Sequence, residues 1–229
     1  MAEFTPSEDV LSGKTADVYF ARCLEILKKE RQNPLATMEI FASRGGVLCG
    51  IEEAKALLDK VLPPDKGGVW ALEEGQRIEK KEVVLRITAP YSSYGLYETA
   101  LCGMLSQASG WATAAAECVA AADQTPVVSF GARHVHPNVV GILDYAAITG
   151  GCLGCSSTAG AELAGVNPSG TMPHAFIITI GDTVQAAMSF NKHASPEIPR
   201  VVLVDTFKDE AEESLRVAAA LGNKLASVR

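Results

Sequence analysis

The sequence has no long uninterrupted apolar run. Nowhere do the ~18 uncharged hydrophobic residues of a membrane-spanning helix follow one another. A basic excess is also missing. The 20 Lys and Arg are outnumbered by 27 Asp and Glu, giving a net charge of −7, which argues against nucleic acid or an anionic membrane as the main partner. The start, Met1-Ala2-Glu3-Phe4, has neither the basic nor the apolar region of a secretion signal, so a cytoplasmic protein is expected. Cysteine is too sparse for a disulfide-stapled fold, and its six thiols read as reduced. Cys152 and Cys155 form a CxxC without the second pair that a zinc ribbon needs, and packing is the preferred reading. What is present is an ordinary globular composition, 48% hydrophobic over 229 residues, enough to bury a sizeable core.

The first half mixes helices and strands without a simple repeat. Val18, Phe20, Leu24 and Leu27 set against Lys28 to Arg31 predict an amphipathic helix over residues 14–30, ended by Asn33-Pro34. A strand is expected at 35–43, a helix at 51–61 stopped by Pro63-Pro64, and strands at 69–73 and 81–89. From Ser92 to Ala122 the Ala-, Leu- and Gly-rich composition predicts one or two buried helices broken near Gly110. The domain boundary is placed there. Residues 1–110 read as an α+β domain of open-faced β-sandwich type, and 111–229 as part of an α/β barrel.

Beyond residue 125, apolar runs at Val127–Phe130, Gly151–Cys155 and Val201–Val204 alternate with helical segments at 138–148 and 208–223. Strands alternating with helices of this length suit a parallel sheet. Ala175–Ile180 stays ambiguous between strand and helix, because a short apolar run fits either period. A closed (β/α)₈ barrel takes about 250 residues, so the stretch after 110 is expected to hold only its first half. The last residues, Leu225 to Arg229, read as another strand entered after Gly222 ends a helix.

In α/β enzymes the chemistry sits in the loops that leave the C-terminal ends of the strands. In the first such loop, Ser129 to Pro137, Phe130 could cover a flat ring while Arg133 holds a carboxylate by paired hydrogen bonds; an ordinary core Phe and a structural Arg fit as well. In the second, Ser156 and Ser157 suit either a ligand or a helix cap. The third, Pro168 to His174, presents one imidazole, a hydrogen-bonding residue or a nucleophile. The fourth ends in Asp205, placed to face positive charge or to cap the next helix.

Together these segments resemble the nicotinate phosphoribosyltransferase family, in its shorter archaeal and bacterial branch. Thr15-Ala16-Asp17-Val18-Tyr19-Phe20 is similar to its T-x-D-x-Y-F segment. SFGARHVHP (129–137), GTMPHA (170–175) and LVDTFKDE (203–210) resemble three of its barrel motifs.

The resemblance implies a reaction in which the ring nitrogen of nicotinate displaces pyrophosphate from phosphoribosyl pyrophosphate, with Mg²⁺ on the leaving group and ATP as cosubstrate. It implies that nicotinate stacks on Phe130 and binds Arg133, with Tyr19 supplied across a homodimer. It further assigns phosphorylation by ATP to His174, stabilisation of an oxocarbenium-like transition state to Asp205, and substrate binding to Ser156, Ser157, Thr171 and Arg229. Members of the family continue past the Val-Arg at which this sequence stops. The expectation is therefore a chain that needs a separately encoded C-terminal half, or a noncatalytic fragment; nicotinamide or quinolinate are the alternative substrates.

Overall fold

The computed structural model describes residues 4–229, which divide into two compact units, one ending at Ser169 and one spanning Gly170–Arg229. In the first unit a short helix α1 (Glu8–Leu11), capped by Ser7, precedes α2 (Val18–Lys29). Strand β1 (Leu35–Phe41) leads through β2 (Gly46–Val47) into α3 (Ile51–Val61). Strands β3 (Gly68–Ala71), β4 (Arg77–Ile78) and β5 (Val83–Pro90) follow. The expected helices and strands of this region are present, with ends moved by a few residues.

The sheet is antiparallel, in the order β1-β5-β3, while β2 pairs with β4. Alternation along β1 explains its facing. Met38 and Ile40 turn towards the core, whereas Leu35, Thr37, Glu39 and Phe41 lie on an exposed face. On that face Arg86 of β5 pairs with Glu39 at 2.7 Å and lies over the Trp70 ring, 5.4 Å from its centroid. Leu85 and Ile87 of β5 are buried against Ile51, Leu57 and Leu58 of α3. Gly50 starts α3 at φ +98°, where a Cβ would sit 2.8 Å from the Met104 carbonyl oxygen, so a side chain is excluded on both counts. The Glu74 carboxylate accepts from the backbone N–H of Gly50 and Glu52, satisfying donors at that helix start.

After a turn of helix α4 (Tyr91–Tyr94), the long α5 (Glu98–Ala122) runs unbroken through Gly110, contrary to the expected break. A glycine inside a helix costs only about 1 kcal/mol, less than the burial of the stripe Leu101, Leu105, Ala108, Ala112 and Ala116 supplies. Strand β6 (Val128–Ser129) is then joined to its parallel neighbour β7 (Gly154–Cys155) through α6 (Val140–Thr149), and α7 (Thr158–Ala164) follows. Both strands are shorter than the apolar runs suggested, because Phe130 already turns into a 3₁₀ segment, Gly131–His134.

In the second unit, α8 (His174–Ile180) resolves the ambiguous apolar run as a helix. Ile177 is buried while Ile178 and Ile180 are exposed, and Gly181 ends the helix at φ +92°. Next come α9 (Thr183–His193), β8 (Arg200–Val202), α10 (Glu210–Leu221) and β9 (Leu225–Val228), with β8 and β9 parallel. The repeated strand-helix-strand pattern expected beyond residue 125 is thus present in both units. Val202, Leu203 and Val204 pack with Ile177, Ala186, Val217 and Leu221.

Arg216 ties α10 to the start of α9, reaching Asp182 at 2.8 Å as well as the fully buried Glu213. The hydrogen bond from Arg216, followed by that from the Gln185 N–H, holds the Asp182 carboxyl below the usual carboxylate range. A depressed folded-state pKa stabilises the fold above the unfolded value of about 3.9, and that contribution is lost as pH falls through the folded value. Asp182→Asn is therefore expected to flatten the acid limb of the stability-pH curve below about pH 4, followed by thermal melts. An acid limb identical to that of the parent would refute this.

Candidate active site

Two sets of polar side chains gather at the strand ends, one in each unit. In the first unit the organising residue is Asp144 of α6, fully buried. Its Oδ1 accepts from the Ser129 hydroxyl at 2.6 Å. Its Oδ2 accepts from the Ser157 hydroxyl at 2.6 Å and the Ser157 N–H at 3.1 Å. The end of β6 and the loop after β7 are thereby pinned to one carboxylate. Gly160 permits the approach, since a Cβ there would lie 2.2 Å from the Asp144 Cβ. Ser157 also accepts from the Gly160 N–H and so caps α7. The capping reading of this serine holds in the structure, and Ser156 beside it is half-buried.

The segment that follows Ser129 carries the ring and the guanidinium. Phe130 is 39% exposed, and Arg133 is exposed with no ion-pair partner among the described residues. The 3₁₀ turn places Phe130 and Arg133 three positions apart on a loop whose root is fixed by Asp144. His136 accepts from the Asn138 N–H and caps the next short turn, while Arg133 carries the guanidinium of this loop, whose fork suits a carboxylate. Tyr19 lies on α2, 54% exposed, its hydroxyl donating to Asp17 at 3.3 Å. Desolvation, then the Asp17 charge, raise its pKa. Asp17 is itself held by the Thr99 hydroxyl at 2.9 Å, which fixes the start of α2 against the start of α5.

In the second unit the structure joins two residues that stand 31 positions apart in the chain. The His174 Nε2 and the Asp205 Oδ1 are 2.9 Å apart, each side chain about half exposed. Asp205 is not a helix cap. The cap of α10 is Asp209, whose carboxylate accepts from the N–H groups of Ala211 and Glu212. The hydrogen bond from His174 is the main cause that lowers the Asp205 pKa, and the Arg229 charge adds to it. Arg229 comes near because the backbone pairing continues past β9, its N–H donating to the Val202 carbonyl at 2.9 Å. Thr171 is half-buried, its hydroxyl 3.3 Å from the Met172 carbonyl.

The Cys155 thiol lies beside the first of these sets, its Sγ donating to the Ser157 carbonyl at 3.7 Å. Cys152 and Cys155 are unpaired, and burial pushes Cys155 up to about 11, which favours the inert thiol and agrees with the packing reading of the CxxC. Asp144 was missed in the sequence. The available signal was a lone carboxylate inside the apolar run Val139-Val140-Gly141-Ile142-Leu143-Asp144-Tyr145-Ala146.

The N-terminal domain model of quinolinate phosphoribosyl transferase matches residues 17–109, and the C-terminal domain model of the same family matches 111–222. The chain belongs to the quinolinate phosphoribosyl transferase family. This corrects the expected assignment, which named the nicotinate enzymes as the family itself. A solved nicotinate-nucleotide pyrophosphorylase from Pyrococcus furiosus is 44% identical, with a TM-score of 0.88 over 100% of this chain and 60% of that one. A nicotinate phosphoribosyltransferase of Mycobacterium tuberculosis is 32% identical over 162 residues, 69% of this chain and 34% of the relative. The human nicotinic acid phosphoribosyltransferase structure, at 20% identity and a TM-score of 0.69, shows the shared fold, covering 93% of this chain and 60% of that one. The chain thus spans about a third of the length of the mycobacterial relative. These likenesses show neither an ATP requirement nor a separately encoded C-terminal half. Among the described residues no helix is long and apolar enough to cross a membrane.

Proposed function

We propose that the chain acts in phosphoribosyl transfer to a pyridine carboxylate, forming nicotinate mononucleotide for NAD biosynthesis. The observation that carries the reading is Asp205, a carboxylate kept ionised by His174 at the C-terminal end of a parallel strand, in a chain with both domains of this family. In this reaction the pyridine nitrogen forms a bond to the anomeric carbon as the bond to pyrophosphate breaks. Positive charge develops on the ribosyl group, and a fixed carboxylate favours that state more than the ground state.

Phe130 supplies the face on which the ring stacks and Arg133 the fork for its carboxylate. Thr171, Ser156 and Arg229 are polar groups suited to the ribosyl and phosphate oxygens, and Tyr19 is offered on an exposed helix face to a second copy. Among the described residues no cluster of three or more His, Cys, Asp or Glu is arranged to hold a metal ion. Mg²⁺ is commonly held by one or two carboxylates plus substrate phosphates, an arrangement that suits an ion carried by the pyrophosphate group. Coupling to ATP rests on the resemblance of the GTMPHA segment alone.

Quinolinate and nicotinate both lead to this product. The family description and the name of the Pyrococcus protein favour the quinolinate type of reaction. Quinolinate bears one carboxylate more than the product, so its use must release carbon dioxide. Nicotinate is favoured by the mycobacterial relative and by the single guanidinium of the loop, which matches a single acid group. The test measures nicotinate mononucleotide formed from each acid with phosphoribosyl pyrophosphate and Mg²⁺, with and without ATP. Carbon dioxide equal to product with quinolinate establishes the first substrate, and product from nicotinate alone establishes the second. Turnover with neither acid refutes the proposed activity for this chain. In an active preparation, Arg133→Ala is expected to raise the KM for the acid about 10- to 100-fold with a smaller change in kcat, the value of a charged hydrogen-bonded contact. Unchanged KM would remove Arg133 from the acid site.

A further inference from the structure

A cavity of about 530 Å³ lies in the first unit, between the loop joining β1 to β2 and the middle of α5. Its lining includes none of the residues of the 129–137 or 155–160 loops. The floor is apolar, formed by side chains such as Leu48, Val84 and Leu105, all buried in the unit's core. At the rim stand Ser43 and Arg44. Arg44 is the only charged residue of the lining, is exposed, and has no hydrogen-bonded or ion-pair partner among the described residues.

The second observation is Gly110, which lines the same cavity. It sits in the interior of a 25-residue helix, where glycine costs about 1 kcal/mol relative to alanine, and a Cβ built there meets nothing within 4 Å. No close approach of backbone or side chain requires a glycine at this position. Its effect is to leave the cavity wall open where any larger residue would project into the space. Gly46 on the opposite wall differs, because a Cβ there would strike the Thr113 hydroxyl at 2.3 Å.

We propose that this cavity is a binding site for a small monocarboxylate with an apolar tail, its acid group on Arg44 and its hydrocarbon over the Leu48, Val84 and Leu105 floor. One unpaired guanidinium selects one negative charge, and its fork geometry matches a carboxylate. The apolar floor favours a hydrocarbon body over a free inorganic anion. The volume is in the range of small-ligand pockets, about 300–1,000 Å³.

Hexanoate is the probe, since it has no ring to stack on Phe130. Calorimetric titration of the full chain is expected to show one saturable site, with hexan-1-ol binding at least about tenfold more weakly. Arg44→Gln should weaken hexanoate at least about tenfold, and Gly110→Leu should abolish binding while leaving the melting temperature equal or higher, because leucine is the better helix former and a Cβ at this position meets no atom within 4 Å. Cys102 gives an independent readout, for it lines the cavity whereas the exposed Cys23 and Cys118 do not. Hexanoate should slow alkylation of Cys102 alone, a measurement that stands even if Gly110→Leu fails to fold. No binding by the parent, equal binding of acid and alcohol, binding unchanged in Arg44→Gln, or no protection of Cys102 would each overturn the assignment.

Discussion

Asp205→Asn is expected to lower the rate of phosphoribosyl transfer by about 10²- to 10³-fold, the loss that follows removal of one group aimed at charge developing in a transition state. Asparagine has nearly the same shape, and its carbonyl oxygen still accepts a hydrogen bond from His174, so the β8 end keeps its geometry while the charge disappears. The loss should fall on kcat, with the KM for the pyridine acid little changed, because the role proposed for Asp205 is towards the ribosyl group and that of Arg133 towards the acid. The parent carboxylate has its pKa lowered by His174, so it stays ionised through the neutral range and titration of Asp205 does not shape the pH profile there. Steady-state rates, with a melting curve as the control for folding, decide the matter. A loss below about tenfold with an unchanged melting temperature would sink the electrostatic role of Asp205.

The largest effect on stability is expected from Asp144→Ala, at about 3 kcal/mol of unfolding free energy. The variant leaves a void in a fully buried position and strips partners from the Ser129 hydroxyl, the Ser157 hydroxyl and the Ser157 N–H at once. A fully buried donor left without its partner costs roughly 1–3 kcal/mol, and these half-buried serine donors recover part of that where the loops relax towards water. Because those donors anchor the β6 end and the loop after β7, the Phe130–Arg133 segment should loosen as well. Urea unfolding measures the first consequence, and amide hydrogen exchange of residues 129–134 measures the second. A midpoint within about 0.5 kcal/mol of the parent would show that the carboxylate is not the anchor.

Periodicity and punctuation made most of the elements legible. The helix at 51–61 lies where its apolar spacing and the prolines after it placed it, and α10 follows the pattern ended by Gly222. Strand β1 could be read because its residues alternate between a half-buried and an exposed face. The short parallel strands were read too long. An apolar run shows that a segment is buried, but the number of its residues that pair depends on where the neighbouring strand ends, and β6 meets β7 over only two residue pairs. Gly110 misled for a related reason, since its local preference was outweighed by the burial of the alanine and leucine stripe along α5.

The candidate site was legible as residue types and not as partnerships. Phe130, Arg133 and Asp205 stood out because each follows an apolar run, and His174 because it opens one, and all four carry groups that chemistry can use. Asp144 did not stand out, since its meaning lies in donors 13 and 15 positions away in the chain. The family is now fixed by its two domain models, whereas the choice between quinolinate and nicotinate turns on details of one pocket that a motif does not specify.

By itself the sequence determined the alternation of strands and helices, the exclusion of a membrane-spanning helix, and the loops in which reactive side chains would be found. These are local properties, set by the period of apolar residues and by turn chemistry within a few positions. Only the tertiary structure decided that Asp205 would bond to His174 and not cap a helix, that Ser157 would be held by a buried carboxylate, and that Gly110 would face a cavity. Such pairings depend on which distant segments packing brings within about 3 Å, the range over which a hydrogen bond acts.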